Sequence, residues 1–205
     1  MPIRPAHPRD RDGLYEVCLR TGDSGQDASS TYEDPWLLGH VYVGPYLALE
    51  PELAFVLDDD GAVTGYVLGA RDTAEFERRC EQEWWPPLRE RYPDPPAGRS
   101  WTPDEQLCHL LHHPPVTDAG VVTEYPAHLH IDLLPSAQGS GNGRRMFEHL
   151  IDRLVTVGAT GVHLGVGSDN KRAIGFYRRL GMRTLQEKPG AVLLGMRLMP
   201  SATET

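Results

Sequence analysis

One junction between His128 and Phe147 constrains the fold of this chain more than any other stretch. It reads HLHIDLLPSAQGSGNGRRMF, an alternating strand that passes through a glycine-rich loop into an amphipathic helix. The glycines Gly139, Gly141 and Gly143 let consecutive backbone N–H groups turn inward, and the helix start adds unpaired donors and the positive end of its dipole. The sequence therefore predicts an anion site suited to a phosphate group.

The spacing of the loop separates this junction from two common phosphate-binding motifs. A dinucleotide-binding GxGxxG counted from Gly139 requires glycine where the chain has Arg144, and the GK[ST] of a Walker A loop is absent from the sequence. The pattern that fits is Gln-x-x-Gly-x-Gly, from Gln138 to Gly143. For the loop taken alone, an ordinary tight turn is the alternative.

Length and composition indicate one soluble domain. A chain of 205 residues buries a substantial core but leaves little room for a second, so we predict a single domain over 1–205. No apolar run approaches the roughly 20 residues of a membrane span, and the first ten residues lack the apolar centre of a secretory signal. A net charge of −9 disfavours nucleic-acid binding. Three cysteines in no framework spacing fit reduced thiols, so we expect a cytoplasmic protein with no membrane partner.

Strand and helix patterns lie on both sides of the junction. Two β-rich runs at 53–57 and 63–70 flank an Asp-Gly turn and predict a β-hairpin. After the junction, a second helix begins near Ser168, which we predict as its N-cap. Further strands are predicted at 162–166, 182–186 and 192–198, and a frayed tail at 200–205.

A proline-rich segment at 71–126 separates the hairpin from the junction. It holds nine of the chain's 18 prolines, which predicts short helices broken by turns, at 73–85 and 103–112. The second of these carries Cys108, His109, His112 and His113, whose spacings place pairs of them on shared helix faces and suggest zinc. No second ligand pair at finger spacing follows in the sequence, so we predict a partly exposed helix face and no metal.

Two signatures in the chain resemble those of the GCN5-related N-acetyltransferases, the GNAT family. The pattern from Gln138 to Gly143 is similar to their pyrophosphate-binding loop, and NKRAIGFYRRLG from Asn170 to Gly181 is similar to their second motif. The resemblance implies an α/β (α+β) fold with a mixed central sheet of about six or seven strands and helices on both faces. It also implies acetyl-CoA as the cosubstrate, with 71–126 as an insertion.

A closer resemblance covers most of the chain. The runs EDPWLLGHVYVGPYLAL, YPAHLHIDLLP and DNKRAIGFYRRLG resemble the acetyltransferase-like C-terminal domain of eukaryotic O-GlcNAc hydrolases and its free-standing bacterial relatives. Eukaryotic members look degenerate in the pyrophosphate loop. This chain retains Gln138, Gly141, Gly143 and Asn170, so the resemblance implies that it binds acetyl-CoA.

The resemblance assigns roles to individual residues. Asn170 takes the place that contacts the pantetheine arm, Tyr177 lies by the thioester sulfur, and a backbone N–H at Leu133 or Leu134 polarises the thioester carbonyl. A phenol with a pKa near ~10 can share a proton with a departing thiolate, which suits Tyr177 as a general acid. The remaining expected cofactor contacts are Gln138, Gly139, Ser140, Gly141, Asn142, Gly143 and Arg144.

A general base is needed because the acceptor must attack as a neutral amine. His128, His130 and Asp132 project to one face of the strand, and imidazoles titrate near neutrality. The glutamate that GNAT proteins often carry early on this strand is not evident here. His130 and His128 are therefore the predicted candidates for the base.

These features predict an acetyl-CoA-dependent N-acetyltransferase that acts by direct attack of a primary amine in a ternary complex. The acceptor is a small molecule or a protein lysine, and the protein is a monomer or a homodimer. Two alternatives stay open. One is a catalytically silent protein that binds acetyl-CoA or a partner, and the other is an acyltransferase that uses a different acyl chain or a hydroxyl acceptor.

Overall fold

The computed structural model describes residues 1–198, in which seven strands form one mixed sheet. The strands are β1 (Ile3–Pro5), β2 (Ala54–Asp59), β3 (Ala62–Ala70), β4 (Ala127–Leu133), β5 (Gly161–Gly167), β6 (Arg183–Lys188) and β7 (Ala191–Arg197). Their order across the sheet is β1-β2-β3-β4-β5-β7-β6. Neighbouring strands are antiparallel, except that β4 and β5 are parallel. This confirms the predicted mixed sheet.

Helices cover both faces of this sheet. They are α1 (Arg11–Leu19), α2 (Leu37–Tyr42), α3 (Gly44–Leu49), α4 (Thr73–Arg79), α5 (Trp85–Arg91), α6 (Pro103–His112), α7 (Ala119–Glu124), α8 (Asn142–Thr156) and α9 (Lys171–Arg179). One core packs α8 and α9 against the sheet, and a second core packs α1, α2 and α6 against the opposite face. Within residues 1–198, none of these helices combines the length and the apolar character that a bilayer span requires.

The predicted hairpin forms from β2 and β3, whose turn has left-handed backbone at Asp60 (φ 50°) and Gly61 (φ 92°). Two consecutive residues with positive φ fit the right-handed twist of the flanking strands, which is why an Asp-Gly pair marks such a turn. The Asp58 carboxylate also accepts a hydrogen bond from the Gly61 N–H at 2.7 Å. The turn therefore sets the register of the two strands.

The junction singled out in the sequence consists of β4, the glycine loop and α8. Along β4, Leu129 and Ile131 enter the core beneath α8, whereas His128 and His130 point to the other face. β4 and β5 pair only at their starts, where Ala127 and His128 lie opposite Val162 and His163. Beyond this point the two strands diverge, and the sheet has an opening between them.

Local details differ from the sequence prediction at several helices. The helix predicted at 73–85 continues through a π-helical turn (Cys80–Trp84) into α5, and α7 was not predicted. Ser168 is not an N-cap; the cap of α9 is Asn170, whose Oδ1 accepts a hydrogen bond from the Ala173 N–H at 3.0 Å. The predicted frayed tail at 200–205 lies outside the described residues.

We expect Gly39→Ala to lower the free energy of unfolding by about 1–3 kcal/mol, because the interior has no space for the added methyl group. A Cβ at Gly39 would lie 2.2 Å from Cδ2 of the Tyr15 ring, which is 2 % exposed. Urea unfolding followed by circular dichroism measures the change.

The matched control is Gly175→Ala, a second glycine within a helix. There the nearest atom to an added Cβ is the mobile Nη1 of Arg179, at 3.4 Å. Because alanine is the better helix former, Gly175→Ala should stabilise the protein by about 0.5–1 kcal/mol. Equal effects of the two substitutions would contradict the close packing of α2 on Tyr15.

Candidate functional site

The opening between β4 and β5 leads into a cleft of about 550 Å³. One wall is the loop that follows α1, around Ser24 and Gln26, and another is the C-terminal end of β4. The glycine loop and the start of α9 complete it. Among the residues predicted for the site, the cleft is lined by Leu133, Gln138, Gly139, Gly141, Gly143, Arg144, Asn170 and Tyr177.

The glycine loop presents a continuous run of free backbone donors to this cleft. Gly139 (φ 84°) and Gly141 (φ 78°) adopt left-handed backbone, which turns the chain so that successive N–H groups face the same side. Within residues 1–198, the N–H groups from Gly139 through Arg144 donate to no protein acceptor. These donors and the start of α8 make a concave site for an anion.

Two side chains hold the loop in this shape. The Gln138 Nε2 donates to the Leu133 carbonyl at 2.8 Å, and its Oε1 accepts from Arg172 at 2.7 Å. Asn142 is buried, and its amide donates to the Ala137 carbonyl at 2.9 Å. Asn142 and Ser140, both predicted as cofactor contacts, are not among the residues that line the cleft.

The rim of the cleft is positively charged although the chain carries a net charge of −9. The cations that line it are Arg144, Lys171, Arg172 and Arg179, against the carboxylates of Asp132 and Asp169. A cluster of cations beside free N–H donors raises the local concentration of a polyanion and binds its phosphates. This end of the cleft therefore suits a ligand that carries several phosphate groups.

The two leucines predicted at the end of β4 differ in what their backbone can do. The Leu134 N–H donates to the Thr64 carbonyl at 2.9 Å, so it cannot also polarise a ligand carbonyl, and this prediction is corrected. In an antiparallel ladder, alternate residues direct their backbone groups away from the partner strand. Leu133 is therefore the residue whose N–H points into the opening beside β5.

Asn170 and Tyr177 face the cleft from α9. The Asn170 side chain caps this helix and donates through Nδ2 to the Ser24 carbonyl at 3.1 Å, which ties α9 to the loop after α1. Tyr177 is 7 % exposed, and burial raises the pKa of its phenol well above the ordinary value, with a further contribution from the Asp132 charge. Among the described residues, the Tyr177 hydroxyl has no hydrogen-bond partner, so its proton is available to a bound group.

His130 forms an ion pair with Asp132, a residue not included in the predicted site. The His130 Nε2 lies 2.9 Å from Asp132 Oδ2, and its Nδ1 lies 3.0 Å from the Tyr42 carbonyl. Both ring nitrogens thus face acceptors, which only the doubly protonated ring satisfies. Burial lowers the pKa of His130, but the Asp132 carboxylate and the hydrogen bonds outweigh it, so the pKa is raised above its ordinary value.

Asp132 is the member of this pair that lines the cleft. Its Oδ2 also accepts a hydrogen bond from the Tyr66 hydroxyl at 2.7 Å. The shared face of His130 and Asp132 on β4 was visible in the sequence. The sequence did not show that Asp132, and neither of the two histidines, is the residue that lines the cleft.

His128 lies behind this pair in a closed environment. The Thr73 hydroxyl donates to the Pro126 carbonyl at 2.7 Å, so the same oxygen accepts from the His128 Nδ1–H at 2.8 Å. The Tyr46 hydroxyl donates to Nε2 at 2.9 Å. Burial, with the neighbouring histidines, lowers the pKa of His128 to about 3. Both nitrogens of this neutral ring are occupied within the protein.

A comparison with known proteins identifies the family of this chain. The sequence model of the Acetyltransferase (GNAT) family matches residues 24–182. Two curated relatives, the Protein O-GlcNAcase of Rattus norvegicus and that of Mus musculus, are each 27% identical over 201 residues. The match covers 96% of this chain but 22% of each relative, so the chain spans about a fifth of their length.

Solved structures give the same result. SsHAT, known from a crystal structure, is 41% identical to this chain in sequence and superposes on it with a TM-score of 0.91. The match covers 97% of this chain and 98% of the SsHAT chain. The structure of yncA from Salmonella typhimurium with its cofactor acetyl-CoA is 17% identical with a TM-score of 0.56, over 100% of this chain and 98% of that one. The second likeness is one of fold.

The contrast between the two histidines can be measured by long-range ¹H–¹⁵N NMR. We expect His128 to stay neutral as the pH falls from 8 to 5, because its folded-state pKa is about 3. We expect His130 to lose its proton only above the ordinary pKa of ~6.5. The variants His128→Gln and His130→Gln assign the signals, and a His128 ring that titrates near neutrality would contradict its buried hydrogen bonds.

The lowered pKa of His128 also makes the stability of the protein depend on pH. Unfolding returns His128 to an ordinary pKa near ~6.5. Below that pH the unfolded chain therefore binds a proton that the folded chain does not bind. The associated stability is complete above that pH and is lost as the pH falls towards 3. The urea concentration at the midpoint of unfolding should therefore fall between pH 7 and pH 5. This fall should be smaller in His128→Gln than in the unchanged protein.

Proposed function

Because this chain belongs to the Acetyltransferase (GNAT) family, we propose that it transfers an acetyl group from acetyl-CoA to a primary amine by direct attack in a ternary complex. The observation that carries the proposal is the run of free N–H groups from Gly139 through Arg144, at the mouth of the opening between β4 and β5. A pyrophosphate fits the donors, and an extended arm fits the opening. The family match and the acetyl-CoA in the yncA structure support this choice of cosubstrate.

We propose that the residues of the cleft divide the cosubstrate between them. The loop N–H groups hold the pyrophosphate, while Arg144, Lys171, Arg172 and Arg179 neutralise its phosphates. When bound, acetyl-CoA supplies an acetyl group activated as a thioester. The Leu133 N–H stabilises negative charge that develops on the acetyl oxygen, because a preset backbone donor needs no reorganisation.

Tyr177 is proposed as the general acid. Its raised pKa keeps the phenol protonated, and its hydroxyl is free to donate to the departing sulfur. Tyr177 therefore retains the role that the family resemblance gave it.

Asp132 and His130 are proposed to act together on the acceptor. Asp132 lines the cleft and is placed to contact the amine, and His130 acts through it as the group that holds the proton. Before the reaction the pair consists of a neutral imidazole and a carboxylate. When it accepts one proton from the amine, it becomes the ion pair of imidazolium and carboxylate seen here. His128, whose nitrogens are both occupied, is left out of this proposed set.

The proposal extends to the domain organisation and the cellular setting of the protein. We propose that residues 1–205 form one domain, with 71–126 inserted beside the acceptor side of the sheet. Cys18, Cys80 and Cys108 are unpaired thiols, which fits the reducing cytoplasm. The acceptor, a small molecule or a protein lysine, is identified by the turnover experiment below.

Calorimetric titration with acetyl-CoA tests the loop. We expect saturable binding that Gly141→Ala weakens at least about tenfold, because a side chain at positive φ strains the loop and reorients its donors. The matched control is Gly61→Ala in the hairpin turn. It also lies at positive φ with open space around it but is remote from the cleft, and should leave affinity unchanged. Equal losses of acetyl-CoA affinity in both variants would contradict a role of the glycine loop in binding.

Turnover tests the catalytic groups, with release of free CoA measured across pools of polyamines, aminoglycosides and lysine peptides. Asp132→Asn, His130→Gln and Tyr177→Phe should each lower kcat by about 100-fold or more while the affinity for acetyl-CoA stays close to that of the unchanged protein. The rate should rise with pH through the raised pKa of His130. In Asp132→Asn the rising limb of the pH–rate profile should move to lower pH, because the carboxylate charge that stabilises the protonated His130 ring is gone.

The pools also separate the alternatives. Tight binding of acetyl-CoA with no transfer to any amine would favour a catalytically silent protein. Transfer to hydroxyl compounds, or faster transfer from a longer acyl-CoA, would replace the amine or the acetyl group in the proposal. Full activity of both Asp132→Asn and Tyr177→Phe would remove those residues from the mechanism.

A further inference from the structure

A compact group of potential metal ligands lies outside the cleft, in the proline-rich segment. It consists of Asp94, from the loop after α5, and of His109 and His113 at the end of α6. One side-chain atom from each of the three lies within 4.8 Å of the others. None of these residues lines the acetyl-CoA cleft, so the group is independent of the proposed catalytic function.

The geometry within the group is that of two imidazoles gathered on one carboxylate. The His109 Nδ1 lies 2.9 Å from Asp94 Oδ1, and the His113 Nε2 lies 2.7 Å from Asp94 Oδ2. The two rings are neighbours on consecutive helical turns, with centroids 4.3 Å apart. Tetrahedral zinc with bonds of ~2.0–2.1 Å separates its ligand atoms by about 3.3 Å. Each contact therefore needs to open by only about half an ångström to admit an ion.

The loop that supplies Asp94 is fixed on both sides of that residue. The Tyr92 hydroxyl donates to the Asp34 carboxylate at 2.8 Å, and the Tyr92 carbonyl accepts from His112 Nε2 at 2.8 Å. Further on, the Trp101 indole donates to the Pro96 carbonyl at 2.9 Å. Asp94 thus lies between two points of the loop that are held by hydrogen bonds.

The histidine rings are also restrained. Trp101 packs over His109 with ring centroids 4.4 Å apart, which limits rotation of the imidazole. The side chains of Asp94 and His109 are each 37% exposed and that of His113 is 56% exposed, so water and ions reach the group. Such an arrangement offers ligands that are already gathered and leaves an open side for water.

We propose that Asp94, His109 and His113 bind a divalent transition-metal ion of the zinc class, with water completing its coordination. Two imidazole nitrogens and one carboxylate oxygen are a ligand set that Zn²⁺ accepts, with an open fourth position. Each neutral imidazole moves its proton to the outward ring nitrogen and offers the inward one to the ion. The bound ion joins the loop after α5 to α6 as a clip within the insertion.

Cys108 and His112, which suggested zinc in the sequence, are not ligands in this arrangement. The Cys108 side chain packs against the core beneath α6, and burial raises the pKa of its thiol, which disfavours the thiolate that metals require. The His112 Nε2 is engaged by the Tyr92 carbonyl. The prediction of no metal rested on the missing second ligand pair, and the structure supplies a third ligand from a different segment.

The experiment uses the full chain without a polyhistidine tag, dialysed against EDTA and titrated with ZnCl₂ by calorimetry. We expect about one Zn²⁺ per chain, and a rise in Tm of roughly 5–10 °C at a Zn²⁺ concentration 100-fold above Kd. Asp94→Asn and His113→Gln should each weaken binding at least tenfold. Both substitutions preserve size and hydrogen bonding on an exposed surface, so circular dichroism should confirm an unchanged fold.

Two control variants define the ligand set. His7→Gln removes an exposed histidine at the other end of the chain, and Cys108→Ser removes the nearby thiol; both should bind Zn²⁺ as the unchanged protein does. Absence of binding at Zn²⁺ concentrations on the order of 100 µM would overturn the proposal and leave the group as two hydrogen bonds. Binding that survives Asp94→Asn and His113→Gln, or that is lost in Cys108→Ser, would also overturn it. Affinity for acetyl-CoA should be unaffected by zinc, which keeps this result separate from the catalytic proposal.

Discussion

The divergence of β4 from β5 is the constraint on which the rest of the structure depends. The two parallel strands share hydrogen bonds only at their starts, so the backbone groups that follow need other partners. The Leu133 carbonyl obtains one from the Gln138 side chain, which also holds the glycine loop in place. The two hydrophobic cores, one under α8 and α9 and one under α1 and α2, pack against opposite faces of the sheet, and the first of them includes residues of both β4 and β5. The opening is thus a stable part of the fold.

The cleft that results has two chemically different halves. Free N–H groups and cations surround the glycine loop, although the chain as a whole is acidic, and they suit phosphates. On the opposite face of β4, Asp132 and His130 form an ion pair backed by the Tyr66 hydroxyl. Tyr177 lies where the two halves meet, and the Asp132 charge contributes to the raised pKa of its phenol. One strand therefore separates the half of the site that we propose to bind phosphates from the half that we propose to transfer protons.

The proline-rich segment is built on a different principle. It contributes no strand to the sheet among the described residues. Its helices pack into the second hydrophobic core through buried side chains such as Phe76, Leu107 and Leu111, and side-chain hydrogen bonds to backbone groups add to this packing. The Trp84 indole donates to the His40 carbonyl at 2.9 Å, and the Arg89 guanidinium donates to the Leu111 carbonyl at 2.7 Å. These polar contacts supplement the apolar packing on the inner side of the segment. A metal clip at its outer edge would add a constraint where the hydrophobic core ends.

The sequence alone determined the glycine loop and the shared face of His130 and Asp132, because periodicity and glycine spacing are local properties. The mixed α/β fold followed from the resemblance of its motifs to those of a known family. The sequence could not distinguish Leu133 from Leu134, whose N–H groups differ only through pairing with β3. It also treated His128 and His130 as equivalent. Tertiary contacts separated them, since Thr73 and Tyr46 enclose His128 while Asp132 holds His130. The same holds for Asp94, which lies 15 residues before His109 and meets it only because the loop after α5 folds back onto α6.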